Sequence, residues 1–213
     1  MEAIVAAARL LAEHGLNQGA SGNLSVRWGD GFLVTPSGIA ADRLESAQLV
    51  RMDLAGGWSG PWKPSSEWRF HRDIYAARPE AAAVVHCHSP AATALAVLGR
   101  PLPAFHYMVA IAGGADVRCA PYATFGTQAL SDAALAALAG RRACLLAHHG
   151  MIALGSSLAQ AVDVAVEVEF LCELYLRLLP LGEPPVLPAE EMAVVLEKFK
   201  SYGAAAQDPA AAD

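Results

Sequence analysis

Residues 81–99 form a long, mostly apolar stretch of the chain without Asp, Glu, Lys or Arg, so this stretch has to be buried in an apolar environment. It is about long enough to span a bilayer. However, His86, His88 and the pair Ser89 and Pro90 interrupt it and divide it into a strand, a turn and a helix. We therefore expect the stretch to cross the core of a soluble domain rather than a membrane.

Patterns typical of helices and of strands alternate along the rest of the chain. NLSVRWGDGFLVT has the alternating apolar residues and the central turn of a β-hairpin. TQALSDAALAALAG and SLAQAVDVAVEVEFLCELYLRLL are typical of helices, and RACLLAHHG between them is typical of a strand. Because there is no internal repeat and no long linker, the sequence predicts one layered α/β domain over residues 1–203 and a disordered tail at 204–213.

Charge and cysteine content limit the class of protein. The 213 residues carry a formal net charge of −6 with no basic block. Nucleic-acid binding needs clustered Lys and Arg to neutralise phosphates, so we expect no nucleic-acid partner. The four cysteines form no C-x-x-C pair, which is typical of reduced thiols in a cytoplasmic protein. Glu2, Arg9 and Glu13 interrupt the apolar N-terminus, which argues against a signal peptide.

The pair His86 and His88 is the first candidate for chemistry. Successive side chains of a strand point to opposite faces, so the two imidazoles can point together while Cys87 points away. Such a pair can be a metal clamp, a proton relay or two unrelated polar residues at a strand end.

A second histidine-bearing strand and a glutamate favour the metal clamp. We expect RACLLAHH to deliver His148 and His149 to opposite faces, so that only one of them joins a shared site. Glu67 lies in the first turn of a predicted helix. Zinc prefers imidazole nitrogen and carboxylate oxygen, with three protein ligands and an open position in catalytic sites. His14 and His71 lack such partners and are expected to be ordinary surface or packing residues.

Three polar turns in the first third of the chain can hold an anion. One is a glycine-rich turn, one is a TPSG turn, and one is a helix N-terminus, where free N–H groups favour a phosphate. Each turn alone is typical of an ordinary turn or helix cap. Together with a metal site, they predict a small phosphorylated substrate. The residues that they offer are Gly22, Asn23, Ser37, Gly38, Ser65 and Ser66.

These features belong to a longer pattern that consists of GLNQGASGNLSVR, TPSGI, PSSEWRFH, AVVHCHS, AFHYMVAIAGG, APYATFGT, HHGMIA and VVLEKFKSYG. In this pattern the chain resembles the class II aldolase/adducin family, from about residue 1 to residue 203. The resemblance implies a three-layer α/β/α sandwich with a mostly antiparallel central sheet. It also implies a homotetramer with active sites at subunit interfaces.

The resemblance implies roles for individual side chains. His86, His88 and His149 match zinc ligands, with manganese or cobalt as alternatives to zinc. Glu67 matches an acid/base glutamate that also binds the metal when no substrate is present. Tyr107 matches a catalytic tyrosine that reaches in from the neighbouring subunit.

The resemblance also implies how the substrate is held. The three polar turns match phosphate-binding turns, and Phe125 and Tyr202 match residues at the aldehyde end. One position departs from the family, because Ala20 stands where the family often has a threonine. This loses a hydroxyl contact to the phosphate that Ser21 could replace.

The implied activity is that of an aldehyde-lyase, which cleaves a ketose 1-phosphate reversibly into dihydroxyacetone phosphate and an aldehyde. The substrate stays open between L-fuculose 1-phosphate and a 5-deoxy- or 5-methylthio-pentulose 1-phosphate, such as 5-methylthioribulose 1-phosphate. A sugar-phosphate 4-epimerase and a methylthioribulose-1-phosphate dehydratase are alternatives on the same fold. A non-catalytic adducin-like binding module is a more remote alternative, since it would be expected to lack the metal ligands.

Overall fold

The structure is a computed structural model, and it describes residues 1–200. Nine strands form one sheet within these residues. They are β1 (Asn23–Trp28), β2 (Gly31–Val34), β3 (Val50–Asp53), β4 (Trp58–Ser59), β5 (Ala83–Cys87), β6 (Leu102–Pro103), β7 (Asp116–Ala120), β8 (Ala143–Leu146) and β9 (Gly150–Gly155). Their order across the sheet is β4-β3-β2-β1-β5-β9-β8-β7-β6. All neighbours are antiparallel except β7 and β8, which confirms the prediction of a mostly antiparallel sheet.

Helices cover both faces of this sheet. They are α1 (Glu2–Glu13), α2 (Trp68–Ala77), α3 (Pro90–Val97), α4 (Gln128–Ala137), α5 (Leu158–Leu178) and α6 (Ala189–Phe199). A first apolar core lies between the sheet and α1, α3 and α5, and a second lies between the sheet and α2 and α4. This arrangement confirms the predicted three-layer α/β/α sandwich. Among the described residues, no helix is both long and apolar enough to cross a membrane.

Strand β5 shows how one sequence serves both layers. Ala83, Val85 and Cys87 belong to the first core, whereas Val84 belongs to the second. His86 shares the face of Val84, where its ring packs edge-on against Phe70 of α2 at a centroid distance of 5.4 Å. The alternation of a strand therefore sends His86 to the α2 side and Cys87 away from it, as the sequence predicts.

The strand predicted over RACLLAHH is shorter than expected. Strand β8 ends at Leu146, and Ala147, His148 and His149 form the turn that leads into β9. His148 adopts a left-handed conformation with φ of 56°, which a strand does not allow. The prediction that strand alternation separates the two histidines is therefore wrong, because a tight turn separates them. The predicted domain boundary at 203, the tail at 204–213 and Tyr202 lie outside the described residues.

Candidate metal centre and substrate cavity

His86 and His88 lie at the end of β5, where the strand leaves the sheet for α3. His86 is completely buried, and its Nδ1 donates to the carbonyl of Met151 on the neighbouring strand at 2.9 Å. Because a carbonyl only accepts, Nδ1 carries the proton in the neutral ring and Nε2 is then bare. Nε2 of His86 lies 3.0 Å from Nε2 of His88. The sheet therefore fixes the tautomer that leaves a ligand atom facing the second histidine.

His149 joins this pair from the turn between β8 and β9. Gly150 follows it, and a Cβ added there would lie 2.4 Å from the Cys87 carbonyl and 3.1 Å from Cδ2 of His88. The absence of a side chain at Gly150 therefore lets the turn approach the end of β5 closely. His148 also lines the cavity described below, but it is exposed and does not belong to the cluster.

Glu67 reaches the histidines from the N-terminus of α2, where it is the N-cap residue. Its Oε2 lies 3.1 Å from Nε2 of His86, and its Oε1 lies 3.3 Å from Nε2 of His149. Oε2 also accepts a hydrogen bond from Nδ2 of Asn23 at 3.0 Å, whereas Oε1 is buried without a hydrogen-bond partner among residues 1–200.

The four side chains converge on one point. One ligand atom from each of Glu67, His86, His88 and His149 lies within 4.8 Å of the other three. The three imidazole rings stand edge to face, with centroid distances of 4.8–4.9 Å. Three converging ring nitrogens and an unpartnered carboxylate oxygen form the donor set that zinc prefers, so the residues present fit a divalent cation.

The electrostatics of the cluster also suit a cation. Burial alone would raise the pKa of Glu67, but the charge and hydrogen bond of His86, the charge of His149 and the Asn23 amide outweigh it and lower that pKa to about 2. Burial, followed by the charge of His86, lowers the pKa of His88 and of His149 to about 4. At neutral pH, Glu67 is therefore ionised and these two imidazoles are neutral, which are the states that metal binding requires. Burial alone would lower the pKa of His86, but the charge and hydrogen bond of Glu67 outweigh it and raise that pKa, so a metal would displace a proton from His86.

A cavity of about 330 Å³ opens in front of this cluster, and Glu67, His88 and His149 line it. The three polar turns that the sequence analysis singled out meet at its wall. All six predicted residues line it, namely Gly22, Asn23, Ser37, Gly38, Ser65 and Ser66. Two of the turns, the TPSG turn and the turn before α2, are joined by backbone hydrogen bonds. The Ser37 amide donates to the Lys63 carbonyl at 3.1 Å, and the Ser65 amide donates to the Thr35 carbonyl at 3.0 Å.

The position that departs from the family also lies on the cavity wall. Ala20 and Ser21 both line it. Oγ of Ser21 donates to the Gln18 carbonyl at 2.6 Å and accepts from the Gln18 amide at 3.2 Å. The Ser21 hydroxyl therefore closes its own turn, and substrate would have to compete with these bonds to use it.

Of the aromatic residues predicted for the aldehyde end and for catalysis, only some line the cavity among the described residues. Phe125 lines the cavity and is 65% exposed, next to Tyr122 at 63%. Tyr107 lies in a 3₁₀ helix (Tyr107–Ala112), is 51% exposed and is not among the residues that line the cavity of its own chain. Tyr202 lies outside the described residues.

Two residues of the site went unrecognised in the sequence. Oδ1 of Asn17 accepts from the His88 amide at 3.2 Å, and it lies where a Cβ on Gly22 would come within 2.2 Å. His71 is completely buried, and its Nε2 lies 2.5 Å from Oδ1 of Asn23. His71 follows Glu67 by four residues, so the i, i+4 spacing that places both on one helix face was the available signal.

A comparison with known families matches residues 2–176 to the model described as "Class II Aldolase and Adducin N-terminal domain". This chain belongs to the class II aldolase and adducin family. The resemblance on which the site residues were predicted is therefore confirmed at the level of the family.

Individual members of the class II aldolase and adducin family match along nearly their whole length. The chain is 61% identical over 206 residues to a protein of Rhodospirillum rubrum named 5-methylthioribulose-1-phosphate/5-deoxyribulose-1-phosphate aldolase, covering 97% of this chain and 93% of that one. It is 53% identical over 190 residues to L-fuculose phosphate aldolase of Escherichia coli K12, covering 89% and 88%. A solved structure named L-fuculose 1-phosphate aldolase superposes with a TM-score of 0.91 at 42% identity, covering 93% and 95%.

The adjacent histidines offer a matched test of the metal centre. Asn tolerates the left-handed backbone at position 148 and offers no imidazole nitrogen to zinc. We expect His149→Asn to lower zinc affinity by at least about a hundredfold, because it removes a ligand atom of the cluster. His148→Asn should keep zinc affinity within about twofold of the wild-type value, because its ring lies outside the cluster. Zinc titration against a chelating indicator measures both, and equal affinities in the two variants would contradict the assignment.

Proposed function

We propose that the protein is a metal-dependent class II aldolase that cleaves a ketose 1-phosphate into dihydroxyacetone phosphate and an aldehyde. The observation that carries the proposal is the cluster of three imidazoles and one carboxylate at the wall of a cavity that the three polar turns also line. Relatives named as aldolases at 61% and 53% identity support an aldehyde-lyase.

His86, His88 and His149 would hold the metal, joined by Glu67 when no substrate is bound. We propose that the metal is zinc, with manganese or cobalt as alternatives. When bound, the cation supplies positive charge that stabilises the negative charge left on the dihydroxyacetone phosphate half after C–C cleavage. Fixed imidazoles suit this task because neutral ligands leave the cation its full charge.

Glu67 moves the proton in this proposal. Its Oε2 is held by the Asn23 amide, whereas Oε1 has no hydrogen-bond partner among the described residues, and the Glu67 side chain lines the cavity. We assign Oε1 as the oxygen that removes a proton from the hydroxymethyl carbon of dihydroxyacetone phosphate in synthesis. In cleavage, Oε1 returns a proton to the same carbon, and the C4 hydroxyl of the ketose supplies that proton as it becomes the aldehyde carbonyl.

The three turns bind the phosphate of the substrate. Ser37 and Gly38 present one turn, Gly22 presents another, and Ser65 and Ser66 precede α2. Backbone amides near a helix N-terminus, assisted by the helix dipole, favour a phosphate dianion at this position. The phosphate would therefore orient the ketose so that its carbonyl half faces Glu67.

The aldehyde half of the reaction needs a group that transfers the proton of the C4 hydroxyl. We assign this role to Tyr107 of a neighbouring copy, since Tyr107 is half exposed and lies away from the cavity of its own chain. The proposal includes a homotetramer with active sites at the subunit interfaces. It also includes a cytoplasmic location. Phe125 and Tyr202 would form the aldehyde end.

The substrate that we favour is 5-methylthioribulose 1-phosphate or 5-deoxyribulose 1-phosphate, because the Rhodospirillum rubrum relative with 61% identity is named for both. L-fuculose 1-phosphate is the second candidate, because the Escherichia coli relative with 53% identity is named for it. The exposed aromatic rings of Tyr122 and Phe125 at the cavity mouth suit an apolar 5-substituent.

A product assay tests the reaction and ranks these substrates. We expect zinc-loaded protein to release dihydroxyacetone phosphate from all three sugars, with the highest kcat/KM for a 5-methylthio or 5-deoxy sugar. A coupled dehydrogenase assay measures the release. Formation of an isomer without release would indicate the 4-epimerase, loss of water would indicate the dehydratase, and no turnover with metal bound would favour the adducin-like binding module.

Glu67→Gln tests the proposed proton carrier. The amide cannot exchange a proton at neutral pH, so we expect kcat to fall by about 10²–10⁴-fold. Binding of dihydroxyacetone phosphate, measured by calorimetry, should persist because the turns are intact. Glu80→Gln is the matched control, since Glu80 is an exposed glutamate that pairs with Arg78. Full activity of Glu67→Gln would show that the assigned role is wrong.

A further inference from the structure

A chain of five hydrogen-bonded side chains leads from the second core to Glu67. Its members are Tyr75, Ser25, His71, Asn23 and Glu67. The hydroxyls of Tyr75 and Ser25 are 2.8 Å apart, and Ser25 Oγ lies 2.6 Å from Nδ1 of His71. Nε2 of His71 lies 2.5 Å from Oδ1 of Asn23, and Nδ2 of Asn23 lies 3.0 Å from Oε2 of Glu67. Their exposed fractions are between 0% and 6%.

The direction of every hydrogen bond in this chain follows from its last member. Ionised Glu67 only accepts, so Asn23 must turn its Nδ2 toward Glu67 and its Oδ1 toward His71. Oδ1 also only accepts, so the His71 proton lies on Nε2. Nδ1 of His71 is then bare and accepts from Ser25, which in turn accepts from Tyr75. All the protons therefore point toward Glu67.

The environment of His71 keeps this arrangement in place. Burial, with the charge of His86 as a smaller contribution, lowers the pKa of His71 to about 3, so its imidazole stays neutral with one proton. Burial also raises the pKa of Tyr75, which keeps its hydroxyl a donor. A proton on Oε2 of Glu67 would need the Asn23 amide and the His71 tautomer to reverse together.

We propose that His71 is a positioning residue of the aldolase site, which fixes the Asn23 amide and through it holds Oε2 of Glu67 as an acceptor, leaving Oε1 to exchange protons with the substrate. This inference rests on the proposed function. It adds Ser25 and Tyr75 as the buried hydroxyls that complete the hydrogen bonds on the Nδ1 side of His71. None of the three lines the cavity.

The first test replaces His71 by Leu or by Gln, which have similar volumes. Gln can donate to Asn23 from the position of Nε2, whereas Leu cannot. The readout is exchange of the hydroxymethyl protons of dihydroxyacetone phosphate with deuterated water, followed by NMR, because this step needs Glu67 but no aldehyde. We expect His71→Leu to lower the exchange rate about 10- to 100-fold with KM nearly unchanged, and His71→Gln to recover most of the loss.

A second pair of variants keeps the proposal testable if His71→Leu does not fold. Tyr75→Phe and Tyr175→Phe each remove one hydroxyl from a tyrosine that is 2% exposed, but the Tyr175 hydroxyl donates to Glu183 in the other layer. We expect a several-fold lower exchange rate for Tyr75→Phe and a wild-type rate for Tyr175→Phe. Wild-type rates in both Tyr75→Phe and His71→Leu, or equal losses in the two tyrosine variants, would overturn the proposal.

A spectroscopic readout separates this inference from the proposed function. In protein labelled with ¹⁵N-histidine, two-bond ¹H–¹⁵N correlation spectra distinguish the two neutral tautomers. We expect His71 to be the Nε2–H tautomer at neutral pH, with or without bound zinc. An Nδ1–H or charged ring would overturn the inference even if the protein is an aldolase. Failure of the wild-type protein to exchange or release dihydroxyacetone phosphate would instead reject the proposed function.

Discussion

The burial of the Glu67 carboxylate among three imidazoles is the interaction on which the rest of the site depends. An ionised carboxylate inside a protein is costly unless hydrogen bonds and positive charge compensate it. Asn23 and the histidines supply part of that compensation, and one oxygen still lacks a hydrogen-bond partner. The site is therefore organised to accept a cation, and the surrounding chain segments hold their side chains in positions that a cation can use.

The sheet topology explains how residues far apart in sequence meet. Strand β5 lies between β1 and β9 in the middle of the sheet, and Asn23 pairs with His86, which in turn pairs with Ile152. The start of β1, the end of β5 and the turn before β9 are therefore neighbours at the same ends of adjacent strands. Strand β2 is adjacent to β1, so the TPSG turn that follows β2 lies at the same strand ends. Backbone hydrogen bonds between residues 35–37 and residues 63–65 place the N-terminus of α2 next to this turn.

The part of this site that depends on local periodicity was predictable from the sequence. Strand alternation predicts that His86 and His88, two residues apart in an apolar run, point the same way. The alternating helix and strand patterns predict the layered α/β class. Glu67 and the two histidines of the second strand were already candidate ligands, but the choice of His149 over His148 and the antiparallel sheet depended on the resemblance to a family. The left-handed turn at His148 was not predictable, because a positive φ is uncommon for any residue other than glycine.

Asn17 and His71 escaped prediction for a different reason. Their partners are set by the pairing of β1 with β5 and by the packing of α2 on the sheet, and a single sequence encodes neither in a local pattern. The sequence pattern of a histidine in an amphipathic helix is the same whether its ring packs in an apolar core or takes part in a row of buried hydrogen bonds. Tyr107 is harder still, because its proposed role needs a second copy of the protein.

X-ray absorption spectroscopy of the zinc-loaded protein is the most direct test of the central claim that these four side chains form a metal centre. The account predicts one zinc per chain, with three imidazole nitrogens at about 2.0–2.1 Å and a remaining shell of oxygen ligands, one of them from Glu67 in the absence of substrate. A spectrum with fewer than three imidazoles or with sulfur ligands, or a protein that binds no stoichiometric divalent metal, would contradict the account.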